Sequence, residues 1–286
     1  MSRRIVITGM GIVSPVGNSI DKFWESLCNG KSGIGLITKF DTTGFKTRIA
    51  GEADEVIPDG FSQKDLNRQD NYSIYAVEAA DQAWTDSGLD SMGDALNRDR
   101  CGVIIGSGIG GITTIQHEVI RLHEHGPRRI SPLMIPKGVA NLGSGNVAIR
   151  HNLRGPNRSI VTACASSNHC IGEGADLIRL GRADVMLVGG AEASIVEFGI
   201  AGFAAMRAST TQVENPETAS RPFDAGRRGF VMGEGAGIMV IESEEFAKAR
   251  GANILAEVVS LGESCDAYHM TAPLPDGSGG AKAMQN

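Results

Sequence analysis

The chain has 286 residues, 41% hydrophobic and 21% charged, a balance that suits one large globular domain or two ordinary ones. The net charge is −6, and no long run of one sign occurs, which argues against nucleic acid or an anionic membrane as the main partner. The five cysteines, Cys28, Cys101, Cys164, Cys170 and Cys265, form no Cys-x-x-Cys pair. That spacing argues against a zinc site or a disulfide framework and suits a reducing compartment; no metal and no cofactor is expected. The opening Met-Ser-Arg-Arg runs straight into an apolar segment, without a signal-like stretch, and no span of about 18 apolar residues follows. A cytoplasmic protein is expected.

In chain order, Ile5 to Thr8 predicts a buried strand, and Ser19 caps a helix from Asp21 to Leu27 that Gly30 stops. Residues 31–60 read as irregular. Tyr72, Tyr75, Ala76, Ala79, Ala80 and Ala83 form one stripe of a long helix from about Asp65 to Ser87, ended by Gly88. Cys101 to Gly106 reads as a strand. Helices follow at Thr113 to His125 and Pro136 to His151. A strand is expected over Ser159 to Ala163, a helix over Cys164 to Leu180, and a strand over Val185 to Gly189. Further on, a short helix is expected at Ile195 to Ala204, a strand at Gly237 to Glu242, a Ser243-capped helix to Arg250 and a strand at Ile254 to Leu261. Another helix begins near Gly280. Short continuous apolar strands alternating with helices imply an α/β fold whose mostly parallel sheet is covered on both faces.

The segment Ser159 to Ser167 holds the sharpest chemical signal. An apolar run ends on Cys164, and small residues then open a helix. The free N–H groups and aligned peptide dipoles of a helix start favour the thiolate, which is the nucleophilic form. A free thiol is only about 3% ionised at pH 7, and a helix terminus worth about 1 kcal/mol raises that to roughly 14%. Proton handling therefore needs a partner, usually a histidine. His169 follows by five positions, a turn of about 140°, and so faces away from Cys164; it reads as a packing histidine. His117, His123 and His125 read as solvated, and His151 as a helix-end residue. Cys28, Cys101 and Cys170 read as core.

Gly106 to Gly111 matches Gly-x-Gly-x-x-Gly after a strand. A dinucleotide site would need a second strand ending in an acid about 20 residues on, and residues 125–133 supply neither. The glycines read instead as a turn for close backbone approach.

Thr162-Ala163-Cys164-Ala165-Ser166 resembles the nucleophile segment of the β-ketoacyl-acyl carrier protein synthases, condensing enzymes of the thiolase superfamily. Ile7-Thr8-Gly9-Met10-Gly11, Gly189-Gly190-Ala191-Glu192, Ser220-Arg221-Pro222-Phe223-Asp224, Gly229 to Gly237 and Asp266-Ala267-Tyr268-His269-Met270-Thr271 resemble further family segments, in the same order. The likeness runs along the whole chain and is nearest to the elongating, type II members. It implies a thiolase-like α-β-α-β-α layered fold whose second half is truncated here. Residues 1–250 would form the half carrying the nucleophile, and residues 251–286 the incomplete start of the C-terminal half.

The resemblance also implies a reaction. Cys164 would accept an acyl chain from a carrier-protein thioester, and a carbanion from decarboxylated malonyl-carrier protein would then attack it, a Claisen condensation of fatty acid biosynthesis. By resemblance Ile109 and Phe203 line the acyl pocket, and Met134 reaches it across a homodimer interface. Asp266, His269 and Thr271 contact the pantetheine arm. The family's two catalytic histidines and lysine lie downstream of the Asp-Ala-Tyr-His segment, where this sequence has none. Arg68, Arg128, Arg129 and Arg207 are candidates for docking the acidic acyl carrier protein. Two alternatives remain open at this point, a non-catalytic partner of the same fold and a polyketide ketosynthase fragment.

Overall fold

The computed structural model describes residues 3–286. Its strands are β1 (Ile5–Val13), β2 (Gly35–Leu36), β3 (Ile49–Ala50), β4 (Cys101–Gly106), β5 (Asn157–Arg158), β6 (Val185–Glu192), β7 (Gly235–Ser243) and β8 (Ala256–Glu257). Its α-helices are α1 (Ile20–Cys28), α2 (Gln63–Leu66), α3 (Asn71–Ser87), α4 (Ile112–His125), α5 (Met134–Gly138), α6 (Leu142–His151), α7 (Ser166–Arg179), α8 (Glu197–Ala205), α9 (Glu244–Ala249) and α10 (Ser278–Gln285). Six strands form one sheet in the order β5-β4-β6-β7-β1-β8, and β2 and β3 pair apart from it.

The expected parallel character holds for strand direction. β5, β4, β6 and β1 run one way, while β7 and β8 run against them and pair antiparallel with their neighbours. Side chains alternate across the strands, as a period of two requires. Val103, Ile105, Val185, Leu187, Ile238 and Val240 enter the core under α3 and α6. Ile104, Met186, Val188 and Ile241 enter the core under α7. The described residues thus build a helix-sheet-helix sandwich, three of the five layers expected. Contact between α3 and β1 is backbone on backbone: a Cβ at Gly9 or Gly11 would fall on the carbonyls of Ala83 or Ala79.

Four expected elements come out differently, each for a local reason. The helix expected over Asp65 to Ser87 breaks before Asn71, because Asp70 adopts an extended conformation and caps α3. Its other oxygen accepts from the amide and hydroxyl of Thr114 at 2.8 and 2.6 Å, so one carboxylate serves two helix starts. The helix expected from Pro136 to His151 splits after Gly138; there Tyr72 donates its hydroxyl to the Val139 carbonyl at 2.7 Å. No strand forms over Ser159 to Ala163: β5 lies just ahead, at Asn157–Arg158, and serine hydroxyls take over the sheet edge beyond it. The Ile105 amide donates to Ser144 Oγ at 2.8 Å, and Ser159 Oγ donates to the Ile105 carbonyl at 2.8 Å. The strand expected at Ile254 to Leu261 is reduced to β8, flanked by Leu255 and Val258 amides donating to Ile7 and Ile5 carbonyls. Cys28, expected in the core, is exposed at the end of α1, while Cys101 and Cys170 are buried as expected.

Candidate active site

Cys164 lies on a single 3-10 turn, Ala163–Ala165, that leads directly into α7. It is exposed. Burial pushes the Cys101 thiol up to about 12 and the Cys170 thiol up to about 11, so both stay protonated and inert at neutral pH. Ala163, immediately before Cys164, has φ of +51°, in the left-handed region that costs a residue with a Cβ on the order of 1 kcal/mol.

Several side chains hold that strained corner. Ser166 Oγ accepts the Thr162 amide at 2.9 Å and donates to the Ala163 carbonyl at 2.7 Å, bracketing the peptide before the cysteine. His169 Nδ1 is paired with Thr162 Oγ1 at 2.7 Å, and its Nε2 stands 3.7 Å from a Glu263 oxygen. His169 is therefore more than the packing histidine the spacing suggested. Its ring grips the turn that carries Cys164. Helical spacing carries no signal for this contact, because Thr162 lies ahead of α7, across the left-handed corner at Ala163.

Beneath the corner, strand ends meet on glycines. A Cβ at Gly106 would stand 2.7 Å from Ser166 Cβ, and one at Gly190 would collide with Ser167 Oγ. The 107–110 loop passes beside the turn that carries Cys164, where a Cβ at Gly108 would lie 3.9 Å from Ala163 Cα. The glycine-rich match is thus a close-approach turn, as expected. Ile109 sits on this loop with 40% of its surface exposed. Glu192, which ends the Gly189-Gly190-Ala191-Glu192 segment, closes the far side of the loop. Its oxygens accept from the Gly108 amide at 2.6 Å, Ser194 Oγ at 2.9 Å and Ser107 Oγ at 3.2 Å. Burial pushes its carboxyl above the usual carboxylate range despite those bonds.

The other expected residues are spread more widely. Phe203 is half-buried in α8, edge-on to Phe230 with centroids 5.4 Å apart, and Met134 is half-buried at the start of α5. An open cleft of about 950 Å³, lined by Arg221, Phe223, Arg227 and Phe230 among others, borders that Phe230 and not the cysteine. Asp266 is half-buried and accepts the Leu274 amide at 2.8 Å. His269 Nδ1 accepts the amides of Thr271 and Ala272 at 3.1 and 3.0 Å, which leaves the proton of a neutral ring on Nε2. Through Glu263 and His169, the stretch leading into these three residues reaches the turn that carries Cys164. Arg68, Arg128, Arg129 and Arg207 are all exposed. They follow α2, α4 and α8, which α4 links: Thr114 bonds Asp70, and the Phe198 amide donates to Gln116 Oε1 at 2.7 Å. Among the described residues, no group of three or more His, Cys, Asp or Glu side chains is placed to hold a metal ion.

Residues 2–247 match the family described as Beta-ketoacyl synthase, N-terminal domain. Over 284 residues the chain is 48% identical to a 3-oxoacyl-[acyl-carrier-protein] synthase 2 of Vibrio harveyi, covering 99% of this chain and 68% of that protein. Among solved structures, a β-ketoacyl synthase from Burkholderia phymatum STM815 superposes with a TM-score of 0.89 at 33% identity, covering 99% of this chain and 69% of that one. AntDE:AntF, a type II polyketide ketosynthase in complex with its acyl-carrier protein and bound to a hexaketide, superposes with a TM-score of 0.90 at 30% identity, over 100% of this chain and 69% of that one. The sandwich, with an exposed cysteine at the corner between sheet and helix, is that of a thiolase-like condensing enzyme. The chain belongs to the β-ketoacyl synthase family.

Proposed function

We propose that this chain carries the acyl-transfer step of a 3-oxoacyl-acyl carrier protein synthase. The Cys164 thiolate attacks the thioester carbonyl of an acyl-carrier protein. The bond to the carrier's sulfur breaks, and the carrier leaves as its thiol with the proton Cys164 gave up. The acyl-Cys164 thioester is then the electrophile for the carbanion left when malonyl-carrier protein loses CO₂; a C–C bond forms and the Cys164 sulfur departs. The observation that carries this reading is that Cys164, unlike the other two exposed cysteines, Cys28 and Cys265, sits beside a strained residue at the start of α7.

Identity near 48% to relatives named 3-oxoacyl-acyl carrier protein synthase 2, against 30% to the polyketide ketosynthase, supports fatty acid synthesis as the setting. Cys164 itself speaks against a non-catalytic partner role. We take Ile109, Met134 and Phe203 as acyl-facing residues, and Asp266, His269 and Thr271 as contacts of the pantetheine arm. The acyl carrier protein would dock on Arg68, Arg128, Arg129 and Arg207, whose exposed guanidinium groups suit an acidic surface. Division at residue 250 is supported by the reach of the family match to 247 and by Gly251, whose φ of +72° turns the chain out of α9. The edge strand β5 offers a seam for a homodimer. Free cysteines suit the cytoplasm, and among the described residues no helix is long and apolar enough to cross a membrane.

Intact-mass measurement after incubation with acyl-carrier protein tests the reading. The expected result is one acyl adduct, lost in Cys164→Ala. A folded chain that takes up no acyl group, or one whose adduct survives that substitution, would defeat it.

A further inference from the structure

One face of α7 carries a stretch of chain from far along the sequence. Arg179 Nη2 donates to the carbonyls of Val258 and Val259 at 3.3 and 3.1 Å. Leu261 lies on Gly172, where a Cβ would collide with it. His169 Nε2 stands 3.7 Å from a Glu263 oxygen. Positions 169, 172 and 179 share one helix face, so residues 258–263 run back along α7 toward its first turn. There the other ring nitrogen of His169, Nδ1, lies 2.7 Å from Thr162 Oγ1. Thr162 immediately precedes Ala163, the residue at φ of +51°. A single imidazole thus bridges the 258–263 stretch and the corner ahead of Cys164.

The two partners of this ring differ in chemistry. A carboxylate only accepts, whereas a hydroxyl both donates and accepts. In a ring with one proton, the Glu263 charge favours that proton on Nε2, which leaves Nδ1 to accept from the Thr162 hydroxyl. A residue in the left-handed region stays there only when its surroundings over-determine it. Ser166 holds the corner by its backbone, at the Thr162 amide and the Ala163 carbonyl. His169 adds a hold on the Thr162 side chain. We propose that His169 is a positioning residue for acyl transfer: it fixes the Thr162 hydroxyl, and with it the corner ahead of Cys164, in the arrangement that Glu263 favours; this rests on the acyl-transfer reading above. The seating of residues 258–263 on α7 is thereby coupled to the presentation of Cys164.

The test follows single-turnover acylation of Cys164 by hexanoyl-carrier protein, read by intact mass over a range of donor concentrations. His169→Ala should lower the saturating rate about tenfold and leave the half-saturating donor concentration unchanged. His169→Asn puts an amide close to the place of Nδ1 and should recover most of that rate. His169→Gln reaches toward Glu263 instead and should not recover it. Thr162→Val keeps the shape of the side chain without its hydroxyl and should slow the step as His169→Ala does; the double variant should be no slower than either single one. Glu263→Ala should slow it about threefold, and should change nothing further in a chain that already carries His169→Ala. If His169→Ala does not fold, Thr162→Val and the contrast of Asn with Gln at 169 decide the matter. Unaltered saturating rates in the His169 and Thr162 variants, rescue by Gln in place of Asn, or effects that multiply in the double variants would overturn the proposal while leaving acyl transfer intact. Failure of the native chain to acylate at all would instead remove the reading on which it rests.

Discussion

Reactivity at a single cysteine depends on its immediate neighbours more than on the cysteine. Cys101 and Cys170 have the same thiol but are enclosed by apolar side chains, and burial keeps both protonated. Cys164 is set apart by a backbone corner that Thr162, Ser166 and His169 hold in place. The residue bearing the strain is Ala163, at φ of +51°. Glycine tolerates that region without a Cβ penalty, so Ala163→Gly should stabilise the fold by up to about 1 kcal/mol. It should also slow acylation of Cys164, because the corner is then free to move. Thermal melting and acyl-transfer rates measured together check this; a variant that melts lower, or acylates as fast as the native chain, contradicts it.

Elements in this fold are joined by a few charged and hydroxyl side chains at their ends. Asp184, just before β6, takes Arg100 Nε at 2.8 Å and Nη2 at 2.9 Å from the start of β4, and Arg3 Nη2 at 2.8 Å from ahead of β1. The Arg100 fork, aided by Arg3 and opposed by partial burial, holds its carboxyl below the usual carboxylate range. A depressed carboxylate contributes fully above its unfolded-state pKa, near 3.9, and loses its contribution as pH falls through the folded value. Asp184→Asn should therefore cost about 1–2 kcal/mol at neutral pH. The gap to the native chain should close as pH drops below about 4. Denaturant melts at several pH values measure it; a gap that is constant with pH would mean the ion pairs are not its source.

For the molecule as a whole, the open question is how it meets other chains. β5 pairs with β4 alone, and its two residues, Asn157 and Arg158, are exposed at the sheet edge. Val161, just beyond, is 57% exposed. An edge of this kind invites pairing with another strand. The proposed homodimer through β5 predicts twice the mass of one chain by light scattering, and a single-chain mass for Asn157→Pro, which removes an edge donor. A native chain that scatters as one copy would rule out that seam. The carrier-docking arginines belong to the same scale. They follow separate elements in sequence, and only packing around α4 relates them.

Much of this protein was legible in its sequence for reasons that are local. Helix caps at Ser19 and Ser243, the stop at Gly88, and the apolar runs of β4 and β6 follow from backbone chemistry within a few residues. The place of Cys164 at a helix start was legible because it is a short-range pattern. What the sequence could not show depends on partners far along the chain. Asp70 breaks a helix because Thr114, 44 residues away, competes for its carboxylate. The strand before Cys164 ends early because Ser144 and Ser159 take the edge of β4. Glu192 reads as one more charge in a glycine-rich strand until the fold carries the 107–110 loop over it, 84 residues away in sequence. Hydrophobic periodicity and turn chemistry act over one or two turns and so determine elements. Hydrogen bonds between the ends of elements form only once the sheet has ordered them, and those bonds decided how Cys164 is held.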